Sequence, residues 1–175
     1  APLRRGEIED NFKQAQNLKS LDDAFIRAEK NHSDLDKAVE TIASDIKAVQ
    51  TKAKLKGRPR AEIKLQDKYE GDVNRLTDLA RTGIEVDTPQ KADEFVQRLS
   101  DKFRVLDEGY NVQDTGYFDR KLTVIFNDGQ LGEVQIFSKT MSAAKKNGGH
   151  NLYKIIRDQT KSEAKVVSDA NGNVL

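Results

Sequence analysis

Two carboxylates and a run of cations carry most of the chemistry this sequence can offer. In "GEVQIFSK", residues 132–139, Glu133 and Gln135 alternate with Val134 and Ile136. Side chains of a strand point to opposite faces in turn, so Glu133 and Gln135 share one face and the two aliphatic residues the other. Asp78, in "LTDLARTGIEV", stands at the entrance to a second expected strand, with Arg81 three residues on. Two carboxylates delivered by neighbouring strands can share a divalent cation, which takes oxygen ligands. Upstream, Lys56, Arg60, Lys64 and Lys68 recur every four residues, with Lys52 and Lys54 just before them. On a helix the last three form a ridge whose like charges repel by roughly 0.2–0.5 kcal/mol per pair, a repulsion that a polyphosphate would relieve. Each feature also has a plain reading: a solvated strand face, a surface ion pair, and a basic ridge partly neutralised by Glu62, Asp67 and Glu70.

Two further stretches bear on ligands. "QDTGYFDRKL" places Gly116 and Tyr117 ahead of Arg120 and Lys121. That offers a flat ring for a nucleobase beside positive charge, or simply a turn with a packed aromatic. His150, in "KKNGGHNLYK", is a lone histidine, a type that more often forms hydrogen bonds than catalyses. His32 gives no usable signal.

The elements that must position these residues can be read from periodicity. Leu35, Val39, Ile42, Ile46 and Val49 recur at steps of four and three, the stripe of an amphipathic helix, with Ser33 at its expected N-cap. An earlier helix is expected over about Glu7 to Lys30. Gly57 and Pro59 break the helical pattern, and a short basic helix follows from about Arg60 to Tyr69. After the strand ending at Ile84 and Val86, "TPQKADEFVQRLSDKF" reads as a helix capped by Thr88, with Pro89 in its first turn and Ala92, Phe95, Val96, Leu99 and Phe103 inward. "KLTVIFNDGQLGEVQIF" reads as a hairpin turning at Asn127, Asp128 and Gly129. A last helix is expected over about Thr140 to Asp158, and the tail "SDANGNVL" as a turn or frayed end. The fold class is therefore α+β: helices first, then a mixed sheet with flanking helices.

Composition sets the outer limits. The 175 residues are 34% charged and 36% hydrophobic, with net charge +1, which argues for neither nucleic acid nor an anionic membrane as a bulk partner. The absence of cysteine excludes disulfides, thiol catalysis and thiolate metal sites, and fits a reducing compartment. No membrane-spanning run or signal peptide is visible.

Taken in order, these stretches resemble the RelA/SpoT-type nucleotide pyrophosphokinase (alarmone synthetase) family over about Lys52 to Asp158. "KAKLKGRPRAEIKLQDK" resembles its donor-binding stretch, "DLARTGIEV" its metal-binding strand, "TGYFDRKL" its acceptor loop and "GEVQI" its Glu-x-Gln strand. Met141, His150 and Tyr153 fall where the family often has a methionine and a His…Tyr helix. The acceptor loop departs from the family's Gly-Tyr-Arg-Ser-Leu-His, reading Gly116-Tyr117-Phe118-Asp119-Arg120-Lys121.

The resemblance implies a fold related to the nucleotidyltransferases, with a helical extension over 1–51, a synthetase-like core over 52–160 and a tail over 161–175. It implies an enzyme that moves the β,γ-pyrophosphate of ATP to the ribose 3′-hydroxyl of a purine nucleotide, giving (p)ppApp or (p)ppGpp. Asp78 and Glu133 would hold Mg²⁺, with Glu133, Asp78 and Gln135 as the catalytic set. Lys54, Lys56, Arg58, Arg60, Lys64, Lys68 and Arg81 would bind ATP, and Tyr117, Arg120, Lys121 and His150 the acceptor. A lone synthetase region resembles the toxic members, including type VI secretion effectors. For those members, action in the cytoplasm of a target bacterium and a cognate immunity protein are expected. A tRNA 3′-end acceptor and a non-catalytic nucleotide-binding or interaction domain are the alternatives.

Overall fold

The computed structural model describes residues 11–51, 53–112, 118–138 and 165–168. The expected helix over Thr140 to Asp158, the tail beyond Ser168, and Tyr117, Met141, His150 and Tyr153 lie outside the described residues. The architecture is α+β, as the sequence indicates. Helix α1 (Leu21–Ile46) leads to β1 (Val49–Thr51), α2 (Arg58–Asp67) and a 3₁₀ turn (Val73–Arg75). Then come β2 (Ala80–Val86), α3 (Pro89–Ser100), β3 (Arg104–Val112), β4 (Phe118–Ile125), β5 (Leu131–Ser138) and β6 (Lys165–Ser168). The six strands form one sheet in the order β1-β2-β5-β4-β3-β6. Among the described residues only β2 and β5 run parallel; every other neighbouring pair is antiparallel.

The alternation of residue types along the strands decides which face is covered. Ile84 and Val86 of β2, Leu122 and Val124 of β4, and Val134 and Ile136 of β5 are fully buried in one core with Leu35, Val39 and Ile42 of α1 and Phe95 and Leu99 of α3. The opposite face of β2 and β5 carries Arg81, Gly83, Glu133, Gln135 and Phe137. That face bears the chemistry.

The first helical region differs from expectation. Residues 11–15 are helical, and the chain then breaks at 16–19, because Gln16 turns inward. Its amide donates to the Asn74 carbonyl at 2.7 Å, and its side-chain oxygen accepts the Leu131 N–H at 2.9 Å. Ser20, not Ser33, is the N-cap, accepting from the Asp23 N–H at 3.1 Å. The helix runs unbroken through Asn31 and Ser33. Asn31 does not stop it because its side chain is occupied elsewhere, donating to Asp128 and to Gln130 at 2.9 Å. Val49 is not on the helical stripe: it opens β1 and is exposed. Strands β3 and β6 were not expected either.

Elsewhere the local signals hold. Thr88 accepts from the Lys91 N–H at 3.2 Å, and Ala92, Phe95, Val96 and Leu99 are buried. Phe103 lies just past the helix and packs edge-on against Phe126. The hairpin turns where expected, with Gly129 at φ +91°, a conformation that favours glycine. Gly132, just before Glu133, is sterically required: a Cβ there would stand 2.7 Å from the Phe126 ring and 2.9 Å from the Ala80 carbonyl oxygen. Among the described residues no helix is long and apolar enough to cross a membrane.

Candidate active site

The site begins with a short extended segment, 53–57, pinned on both sides. A ring nitrogen of His32 donates to the Ala53 carbonyl at 2.7 Å, and the Lys56 N–H donates to the Leu79 carbonyl at 3.2 Å. The second bond lays Lys56 beside the entrance of β2, where Asp78 stands. Lys56 Nζ donates to Asp78 Oδ2 at 2.7 Å, and Lys64 Nζ, in the last turn of α2, reaches the same oxygen at 3.3 Å. Among the described residues Asp78 Oδ1 is buried without a hydrogen-bond partner. Burial, the largest influence on this carboxyl, works to raise its pKa; the Lys56 hydrogen bond and the two ammonium charges outweigh it and hold the pKa below 3.8. For Lys64, burial works to lower the pKa, but Asp78 and Tyr69 raise it above 10.5 on balance.

Parallel pairing brings the second carboxylate alongside. Arg81 stands opposite Glu133 and Gly83 opposite Gln135, so the entrance of β2 lies at the start of β5. Asp78 and Glu133 line one cavity of about 210 Å³, with Lys13, Lys64, Tyr69, Glu108, Lys121 and Thr123 among its walls. Lys121 Nζ sits 3.6 Å from Glu108 and 4.0 Å from Glu133. A second cavity, about 280 Å³, is lined by Lys56, Arg60, Lys64, Lys68 and Arg81, with Ile63 and Asp67. Five of the seven expected ATP-binding residues therefore share one pocket, and Lys64 belongs to both cavities. Gln135 lines a third, about 230 Å³, with Arg81, Gly83, Glu133 and Phe137. The three cavities thus adjoin through Lys64, Arg81 and Glu133.

Three expected residues are placed otherwise. Arg58 turns towards α1, pairing with Asp22 and lying 5.6 Å over the Phe25 ring. Arg58 opens the helix, with Pro59 in its first turn, and it does not line the cationic pocket. Lys54 is exposed, and it is its carbonyl that contacts the site, accepting from Arg81 Nε at 3.3 Å. Arg120 pairs with Ile136 in register, on the covered face, where it is bound by Asp107, Asp93 and Tyr110. The structure does not bring Arg120 to the cavity; its neighbour Lys121 lines it instead, with Lys13 and Lys64. The period of two decides which of adjacent Arg120 and Lys121 can reach an acceptor.

Sequence reasoning missed Tyr69, Glu108 and Thr123. Tyr69 lies between Lys64, 5.4 Å from its ring centre, and Arg75, at 5.1 Å. It falls just after α2 in a turn where Glu70 and Gly71 both have positive φ, so helical spacing could not place it. Glu108 sits in a strand that alternation did not reveal.

No family model matches the chain, and no curated protein matches it. The fold is similar to solved structures. The type VI effector Tas1, in complex with its immunity protein, has a TM-score of 0.55 and 24% identity over 81% of this chain and 77% of that one. Small alarmone synthetase 1 from Bacillus subtilis, bound to its product pppGpp, has a TM-score of 0.44 and 15% identity over 79% and 84%. A GTP pyrophosphokinase family protein from Streptococcus pneumoniae has 0.43 and 16% over 79% and 83%. The likeness to Tas1 is one of fold.

Proposed function

We propose that this chain is an ATP-dependent pyrophosphokinase that places the β,γ-pyrophosphate of ATP on the ribose 3′-hydroxyl of a purine nucleotide. The observation that supports it most is the meeting of Asp78 and Glu133 on one cavity whose wall continues, through Lys64, into a pocket of five cations. Magnesium is commonly held by one or two carboxylates together with substrate phosphates. Asp78, with one buried oxygen unpartnered, and Glu133, half-buried on the same cavity, fit that requirement and would hold the ion. When bound, it would neutralise charge on the reacting phosphates.

The donor triphosphate would lie along Lys56, Arg60, Lys64, Lys68 and Arg81, where cations offset the charge that spreads during transfer. The acceptor would enter beside Lys121; the resemblance also assigns Tyr117 and His150, which lie outside the described residues, to acceptor binding. Glu133 would take the proton of the 3′-hydroxyl. The 3′-oxygen then bonds to the β-phosphorus, the bond from that phosphorus to the α,β-bridging oxygen breaks, and AMP leaves with that oxygen. Gln135, on the same strand face, would orient the reacting groups. The likeness of fold to Tas1 supports a growth-inhibiting role and an inhibitory protein partner.

Labelled ATP and Mg²⁺ should be incubated with ADP, GDP or tRNA in separate reactions and the products resolved by chromatography. Release of AMP matched by a pyrophosphorylated purine nucleotide supports the reading. Product on tRNA alone shifts the acceptor class, and no AMP in any reaction overturns the proposal.

A further inference from the structure

The fold commits a backbone irregularity to Glu108. β3 and β4 pair regularly as far as Asp107↔Leu122, and pairing resumes at Tyr110↔Arg120, so Glu108 and Gly109 together oppose Lys121. Gly109 has φ +81°, and its N–H donates to the Asp107 carboxylate at 2.9 Å. One extra residue in a strand re-aims the side chains around it. Strict alternation would put Tyr110 on the face opposite Asp107. The bulge instead puts both beside Arg120, which donates to Asp107 at 3.2 Å and to the Tyr110 hydroxyl at 3.2 Å. Glu108 is left facing the cavity of Asp78 and Glu133.

Glu108 is only 7% exposed, and a buried carboxylate costs folding free energy unless it is paired. Its Oε2 accepts from the Thr123 hydroxyl at 3.4 Å and lies 3.6 Å from Lys121 Nζ. Lys121 sits between it and Glu133, 4.0 Å away. A stray negative charge on the wall of an anion-binding cavity would weaken phosphate binding; one that fixes a lysine would strengthen it.

We infer that Glu108 is a positioning residue of the acceptor side: its carboxylate holds the Lys121 ammonium beside Glu133, where that ammonium receives the acceptor's phosphates. This rests on the reading of the cavity given above. The sign of the effect separates the two roles, since simple charge removal tightens anion binding whereas loss of positioning loosens it.

The test is calorimetric titration of ADP, and of GDP, into the full chain saturated with α,β-methylene-ATP, which fills the donor pocket without reacting. Glu108→Gln and Lys121→Met should each weaken binding of the better diphosphate about tenfold, and together no more than either alone, as coupled residues do. In the Lys121→Met background, Glu108→Gln should leave affinity unchanged or slightly tighter. Unchanged or tighter binding on Glu108→Gln alone, losses that multiply, or no binding of either diphosphate to the wild type each overturn the inference. Because Lys121 is exposed, Lys121→Met keeps the fold even if Glu108→Gln lowers stability. Absence of AMP release overturns the proposed reaction instead, while the binding cycle still decides the role of Glu108.

Discussion

Two ion clusters, on the two faces of the same sheet, treat buried charge in opposite ways. On the covered face Arg120 is shared among Asp107, Asp93 and Tyr110, and its ring contact with Tyr110 measures 5.0 Å. Burial, the largest influence, opposes its charge, yet Asp107, Tyr110 and Asp93 hold its pKa above the ordinary arginine value. On the other face two lysines crowd one oxygen of Asp78 while the other has no hydrogen-bond partner among the described residues. The first cluster is closed: among the described residues its cation has three partners, Asp107, Asp93 and Tyr110. The second is incomplete among the described residues, with more cation than one carboxylate oxygen requires and a second, buried oxygen that has no hydrogen-bond partner. A satisfied charge cluster ties strands together, whereas an unsatisfied one beside a cavity is prepared for a ligand.

Breaking the closed cluster should cost the most stability. Arg120→Met strips Asp107 of its main partner, and loss of one member of a buried pair typically costs about 3–5 kcal/mol. Urea unfolding should show that loss, while AMP release per folded molecule stays near the wild-type rate. An equal loss of acceptor affinity would place Arg120 in the site after all and erase the contrast.

Breaking the open cluster should act on ligands more than on the fold. Lys56→Met leaves Asp78 with Lys64, so we expect only about 1 kcal/mol of destabilisation, typical of a single hydrogen bond. Affinity for ATP should fall about tenfold, since a hydrogen bond to a charged group is worth about 1.5–3 kcal/mol. Calorimetry with α,β-methylene-ATP reads the second effect and urea the first.

The same clamp makes the cation site conditional. While both lysines hold Asp78, a metal ion alone meets a carboxylate already neutralised. Mn²⁺ binding followed by electron paramagnetic resonance should therefore be weak in the wild type and about tenfold tighter in Lys56→Met/Lys64→Met, a shift of about 1.4 kcal/mol. Equal binding in the two proteins would show that the lysines do not guard the site.

The smallest effect is on acid stability. Asp78 has a lowered folded pKa, so the stabilisation from its charge is complete above the unfolded value near 3.8 and is lost as pH falls through the lower folded value. Asp78→Asn should flatten that part of the stability curve below about pH 4 and leave the slope near neutrality unchanged.

How far the sequence disclosed this follows from which signals were local. Thr88-Pro89 and Asn127-Asp128-Gly129 determine their turns within a few residues, and both stand where expected. The alternation of Glu133 and Gln135 with Val134 and Ile136 likewise assigned the faces of β5. A helix break was expected between Lys30 and Ser33, and the helix instead runs through Asn31, whose tertiary partners, Asp128 and Gln130, lie far along the chain. β3 escaped because its bulge interrupts the period of two at Glu108 and Gly109, and this hid Glu108. The Arg58 side chain followed Asp22 and Phe25, contacts that spacing within α2 could not reveal. Lys56 joined the cationic pocket from an extended segment, held there by a backbone bond to β2.

The most direct measurement is a crystal structure with Mn²⁺ and α,β-methylene-ATP, the metal located by its anomalous signal. We expect the ion on the orphan oxygen of Asp78, within coordinating reach of Glu133, and Lys56 and Lys64 turned from Asp78 onto the phosphates. An ion bound away from both carboxylates, or phosphates settled elsewhere while the lysines still hold Asp78, would contradict a centre built from these two side chains.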